Sequence, residues 1–157
     1  MEASRTLPQD RFARTRRSRS MFVVGPGLVI GAVATVALVV SMFMSWQAGG
    51  VHPRDVAAAF LWDRHATGDP SLLVYLIPLA VVLGVGSLLR GGGGLRLLAG
   101  LLTLVVVGVY AYQLRELTKA AGVGFRDTLD PGFYVAAAAG VIGLVSGFVP
   151  STLRARR

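Results

Sequence analysis

Four stretches of this chain contain no Asp, Glu, Lys or Arg. They are residues 20–53, 70–89, 97–114 and 131–153, of 34, 20, 18 and 23 residues. About 20 apolar residues in a helix cross the hydrocarbon core of a bilayer. Lipid offers backbone N–H and C=O groups no partner, so a spanning segment must pair them internally, as a helix does. Charged residues make up only 15% of the whole sequence, against about 25% in ordinary soluble domains. Such a chain cannot cover a water-facing surface. A soluble globule, a disordered chain and a secreted disulfide scaffold are excluded, the last also because there is no cysteine.

The pattern predicts an all-α fold, a transmembrane antiparallel four-helix bundle with a short surface helix in the first outer loop. Spans are expected near 21–46, 71–89, 95–114 and 131–149. Residues 21–150 form the membrane domain. Residues 1–20 read as a disordered basic tail and residues 151–157 as a second basic tail. The apolar run Met21–Trp46 is too long for a signal-peptide core of 7–15 residues, so it reads as a retained anchor.

Charge sets the orientation. Residues 1–20, the link holding Arg90 and Arg96, and the C-terminal tail together carry eleven bases and two acids. The other two links carry five bases and six acids. Positive segments stay cytoplasmic, which places both termini inside and the links 47–70 and 115–130 outside, in a plasma (cell) membrane. Trp46, Tyr75, Tyr110, Tyr112, Phe133 and Tyr134 fall at the span ends that charge places outside. There they are expected to anchor at headgroup level. The same asymmetry accounts for the net charge of +8 without nucleic-acid binding.

Local signals divide the chain further. Pro26 suits a first helical turn, and Pro78 is expected to kink span two. Asp55–Trp62 reads as the surface helix, with Asp55 as its N-cap and its apolar side chains on the membrane. Span three continues to about Ala120 before Gly122 and Gly124 break it. Asp130 and Pro131 read as N-cap and first residue of span four, and Pro150 as its stop.

Small residues recur at four-residue spacing: Gly27, Gly31 and Thr35 in span one, and Ala139, Gly143 and Gly147 in span four, with Ala136 and Gly140 beside them. Such faces let helix backbones approach closely in lipid. They fit packing within one bundle or docking against another membrane protein or a second copy. Arg16, Arg17, Arg19, Arg90 and Arg96 are candidates for contact with anionic lipid at the cytoplasmic face. The Gly91–Gly94 turn at the start of span three would assist.

Catalytic chemistry finds no foothold. With Arg90 and Arg96 assigned to a link, the spans hold no Asp, Glu, Lys, Arg or His, so proton relays and ion paths lack their usual groups. His52, Asp55, Asp63, His65 and Asp69 share one short loop without metal-ligand spacing. No nucleophile elbow, zinc helix or phosphate loop occurs. No cofactor, metal site or catalytic residue is expected.

The Arg-rich start, Ser45-Trp46 closing span one, and a last span opening Asp130-Pro131-Gly132-Phe133-Tyr134 and continuing through Gly140, Gly143 and Gly147 resemble small four-span membrane proteins common in high-GC Gram-positive bacteria. That resemblance implies a plasma-membrane location and a place beside a larger assembly, and it lends no catalytic residues. The expected function is that of a non-enzymatic accessory or interaction subunit. The alternative is a carrier or binding protein for a lipid or other apolar molecule.

Overall fold

The computed structural model describes residues 25–89 and 91–150. The basic tails, with Arg16, Arg17 and Arg19, lie outside the described residues, as does Arg90. Within them the chain forms four α-helices and no strand: α1 (Pro26–Phe43), α2 (Leu73–Leu88), α3 (Gly93–Ala121) and α4 (Pro131–Phe148). Three of these, α1, α3 and α4, are long and apolar enough to cross a membrane. α2, at 16 residues, is about 24 Å long, short of a hydrocarbon core of about 30 Å.

Helix ends fall where backbone chemistry puts them. Pro26 and Pro131 open α1 and α4, where a missing N–H costs nothing. Asp130 occupies the N-cap position of α4 but makes no side-chain capping bond. α3 runs through its charged last turns to Ala121, and Gly122 ends it in the left-handed conformation at φ +70. α2 continues through Pro78.

Each helix packs on two others: α1 on α2 and α4, and α3 on α2 and α4. The start of α1 meets the end of α4, where the Gly27 N–H donates to Pro150 O at 3.2 Å. The end of α1 meets the start of α4, where the Gly132 N–H donates to Ser45 O at 3.0 Å. Orphan groups at helix termini thus satisfy one another. The two ends of the helical body differ. One carries the Gly91–Gly92 turn, and is termed the turn end. The other carries the links 44–72 and 122–130, and is termed the loop end.

The first link departs from expectation. Asp55–Trp62 is not an α-helix with Asp55 as N-cap. It contains two 3-10 turns, Pro53–Asp55 and Ala58–Leu61, separated by extended chain. Ala58 N–H donates to Pro70 O and Leu72 N–H to Val56 O, both at 2.7 Å. Nor do most of its apolar residues lie on the surface: Val56, Ala57, Ala58, Phe60 and Leu61 are buried, while Trp62 is exposed. A loop entering an apolar interior must pair its backbone groups, and pairing with the strand-like entry to α2 does so. Similar bonds join Ala48 to Thr128 and Asp130 to Trp46. The loop end is therefore a stitched plug.

The outward surface inverts a soluble protein's pattern. Val29, Val33, Val36, Val40 and Phe43 of α1 are exposed, as are Val74, Ile77, Val81, Val85 and Leu88 of α2. Leu98, Leu101, Leu102 and Val105 of α3 and Val141, Val145 and Phe148 of α4 complete the ring.

Candidate functional site

Three features stand apart from this frame: a buried arginine at the turn end, an aromatic cluster at the loop end, and a groove between α1 and α2.

Arg96 corrects two expectations. It lies in the first turn of α3 and is 1% exposed, so it is neither a surface contact for lipid nor a link residue. One of the membrane-length helices therefore does contain a charged side chain. Its Nη2 donates to Val149 O at 3.0 Å and its Nη1 to Gly27 O. Among the described residues Nε is buried without a partner and no carboxylate pairs with the guanidinium. The guanidinium instead sits at the last carbonyls of α4, where the helix dipole favours a cation. Glycines make room for it. A Cβ on Gly31 would lie 3.0 Å from Arg96 Cδ, and one on Gly86 3.2 Å from its Cγ. Arg96 thereby joins α1, α3 and α4 at one point, with α2 alongside.

The small-residue faces are consumed inside the chain. A Cβ on Gly27 would overlap the Val149 carbonyl, and one on Gly31 the Ser87 hydroxyl. Gly147 would meet Leu97 Cβ at 2.6 Å, and Gly143 would meet Leu83 and Gly100 at 3.2 and 3.3 Å. Ala139 is fully buried. Their partner on α3, Gly100, carries no small residue four positions away, since Arg96 and Leu104 stand there. A search for that spacing therefore misses it. Yet a Cβ there would lie 2.7 Å from Gly143 C and 2.8 Å from Gly140 O. An added methyl there would run into the α4 backbone, with no flexible side chain between.

The aromatic residues divide. Trp46 and Tyr110 are fully buried and Phe133 nearly so, while Tyr112 and Tyr134 are exposed. The first three are core residues, not interfacial anchors. Trp46 packs edge-on against Tyr110 at 5.2 Å and Phe133 at 6.1 Å, and Phe60 of the plug reaches Tyr110 at 5.4 Å. Their polar atoms are satisfied: Trp46 Nε1 donates to Ser41 O at 2.9 Å, and Gln47 Nε2 to the Tyr110 hydroxyl at 2.6 Å. Buried Trp and Tyr need such partners.

The groove between α1 and α2 has a volume of about 370 Å³. Val39, Met42 and Phe43 form one wall and Leu73, Ile77 and Val81 the other. It opens sideways among the exposed apolar side chains. His52 and Arg54 stand at its loop end. Asp55 accepts the His52 backbone N–H at 3.1 Å and lies 3.6 Å from Arg54 Nε. Both side chains of that ion pair are at least half exposed. His52 and Asp55 thus belong to a groove rim; among the described residues no group of three His, Cys, Asp or Glu could hold a metal.

Comparison of the chain with protein-family models, with curated proteins and with solved structures gives no match.

Proposed function

We propose that this chain is a multi-pass plasma-membrane protein: an antiparallel four-helix bundle whose turn end and both termini face the cytoplasm. The observation that carries the reading is the ring of exposed Val, Leu, Ile and Phe around all four helices. In water such a surface would drive association, whereas in lipid it is the solvated face. α2 is the shortest helix, and we place it across the bilayer with the rest. It packs between α1 and α3, and apolar residues are exposed along it from Val74 to Leu88. The polar links at one end support this orientation, as does the Arg-rich sequence that adjoins the described residues at the other.

Within that setting we assign a non-enzymatic accessory role, contacting a membrane protein partner through the outward face. The small-residue stripes do not supply the contact, because they pack inside the chain. Mild-detergent purification of the full chain at native abundance tests this role. A stoichiometric protein companion is the expected result; recovery of the bare chain would contradict it. The groove between α1 and α2 favours a second reading, the binding of a lipid or similar apolar molecule.

A further inference from the structure

The second reading above sets the membrane context for a more specific assignment. We propose that the α1/α2 groove is a binding site for one anionic glycerophospholipid of the outer leaflet. One acyl chain lies in the groove and the phosphate is held by His52 and Arg54. The groove is amphipathic along its length. Its walls are hydrocarbon, from Leu73 and Phe43 at the loop end to Val39 and Val81 deeper in. Leu73 to Val81 is about 12 Å of helix, a length along which a stretch of acyl chain can lie. Ile77 and Val81 are 51% and 57% exposed, so the groove is entered sideways from the membrane.

The polar groups are confined to the loop end. Those that line the groove are an imidazole and a guanidinium, both able to donate to phosphate oxygens, with the Asp55 carboxylate beside them at the rim. An amphiphile must therefore enter with its head at the links and its tail toward the bilayer midplane. That is the orientation of a phospholipid in the leaflet on that side. Arg54 is available for the head. Its only ion-pair partner among the described residues is Asp55 at 3.6 Å, an exposed pair of the kind that contributes little. Asp55 is also engaged by the His52 N–H, which fixes the rim while Arg54 can turn. Since Asp55 offsets part of the charge, selectivity is moderate. A headgroup amine would compete for Asp55 and shield the phosphate, so a lipid without one is preferred.

The test is native mass spectrometry of the full chain released from micelles. Phosphatidylglycerol and phosphatidylcholine of identical acyl chains are supplied in equal amounts. Wild type should retain one phosphatidylglycerol about five-fold over phosphatidylcholine. The double variant His52→Gln with Arg54→Gln should lose that preference. Val39→Phe, or Val81→Phe from the opposite wall if the first does not stay monodisperse, should reduce retention of both lipids. Arg115→Gln, an arginine elsewhere at the loop end, should change nothing. Equal retention of both lipids by wild type, or an unchanged preference in the double variant, overturns the site. A chain that partitions into membranes yet holds no lipid refutes the site alone. One recovered in the aqueous fraction without detergent refutes the membrane reading with it.

Discussion

Gly100→Ala destabilises the helical body by about 3 kcal/mol, the upper range for overpacking a tight core. The corresponding change at Gly143 costs less than about 1 kcal/mol. The difference comes from what each new methyl meets. At Gly100 it meets the backbone of residues 140–144, which cannot move without separating α3 from α4. At Gly143 the closest atoms are the end of the Leu83 side chain at 3.2 Å, which can turn aside, and Gly100 Cα at 3.3 Å, so a shift of a few tenths of an ångström relieves the contact. Gly147→Ala falls with Gly100, because Leu97 Cβ and the Gly93 carbonyl lie against it. Gly94→Ala and Gly108→Ala enter open space and cause no loss. Denaturation in mixed micelles, followed by helical circular dichroism, ranks the five sites. A Gly143→Ala cost equal to that of Gly100→Ala would show that α3 and α4 do not approach as described.

Arg96→Ala is expected to cost about 3 kcal/mol, combining a cavity term with carbonyls left unbonded. The neighbours cannot refill the space, because Gly27, Gly31 and Gly86 carry no side chains. Arg96→Lys should recover only part of the loss. An ammonium is a point charge, and it cannot bond Val149 O and Gly27 O with the fixed fork of a guanidinium. Arg96→Met separates charge from volume. It fills much of the cavity and removes a buried cation, and such exchanges are often neutral or better. Stability ordered wild type, Met, Lys, Ala would mark Arg96 chiefly as a space-filling junction. Arg96→Ala with wild-type stability would remove it from that role.

These two sites show what a single sequence reveals and where it stops. The apolar helices were legible because lipid-length runs without charge have few other uses. Their ends were legible at Pro26, Gly122 and Pro131, where backbone geometry dictates the residue. Gly27, Gly31, Gly143 and Gly147 were legible as packing positions from spacing along one helix, but spacing left open what they pack against. Gly100 was not legible, because its fit depends on a glycine face on another helix. Arg96 looked like a topology signal, since charge counting sees the sign and not the glycine-lined space that three other segments leave for it. Trp46, Tyr110 and Phe133 stand where interfacial aromatics stand. They turn inward because residues 56–61 plug the loop end and give them an interior. The groove rim was visible only as scattered His52, Arg54 and Asp55 in a loop.

We propose that the chain crosses the membrane four times with its turn end inside. That arrangement is tested most directly by single cysteines in a chain that has none of its own. Thr67 and Val123 are exposed at the loop end, and Gly94 is exposed at the turn end with open space around its Cα. Thr67 and Gly94 flank α2, the shortest helix, while Gly94 and Val123 lie toward opposite ends of α3. In intact cells a membrane-impermeant thiol reagent should label Thr67→Cys and Val123→Cys. It should reach Gly94→Cys only after permeabilisation. Labelling of Gly94→Cys together with Thr67→Cys in intact cells would mean that α2 does not cross, and the four-span account would fail.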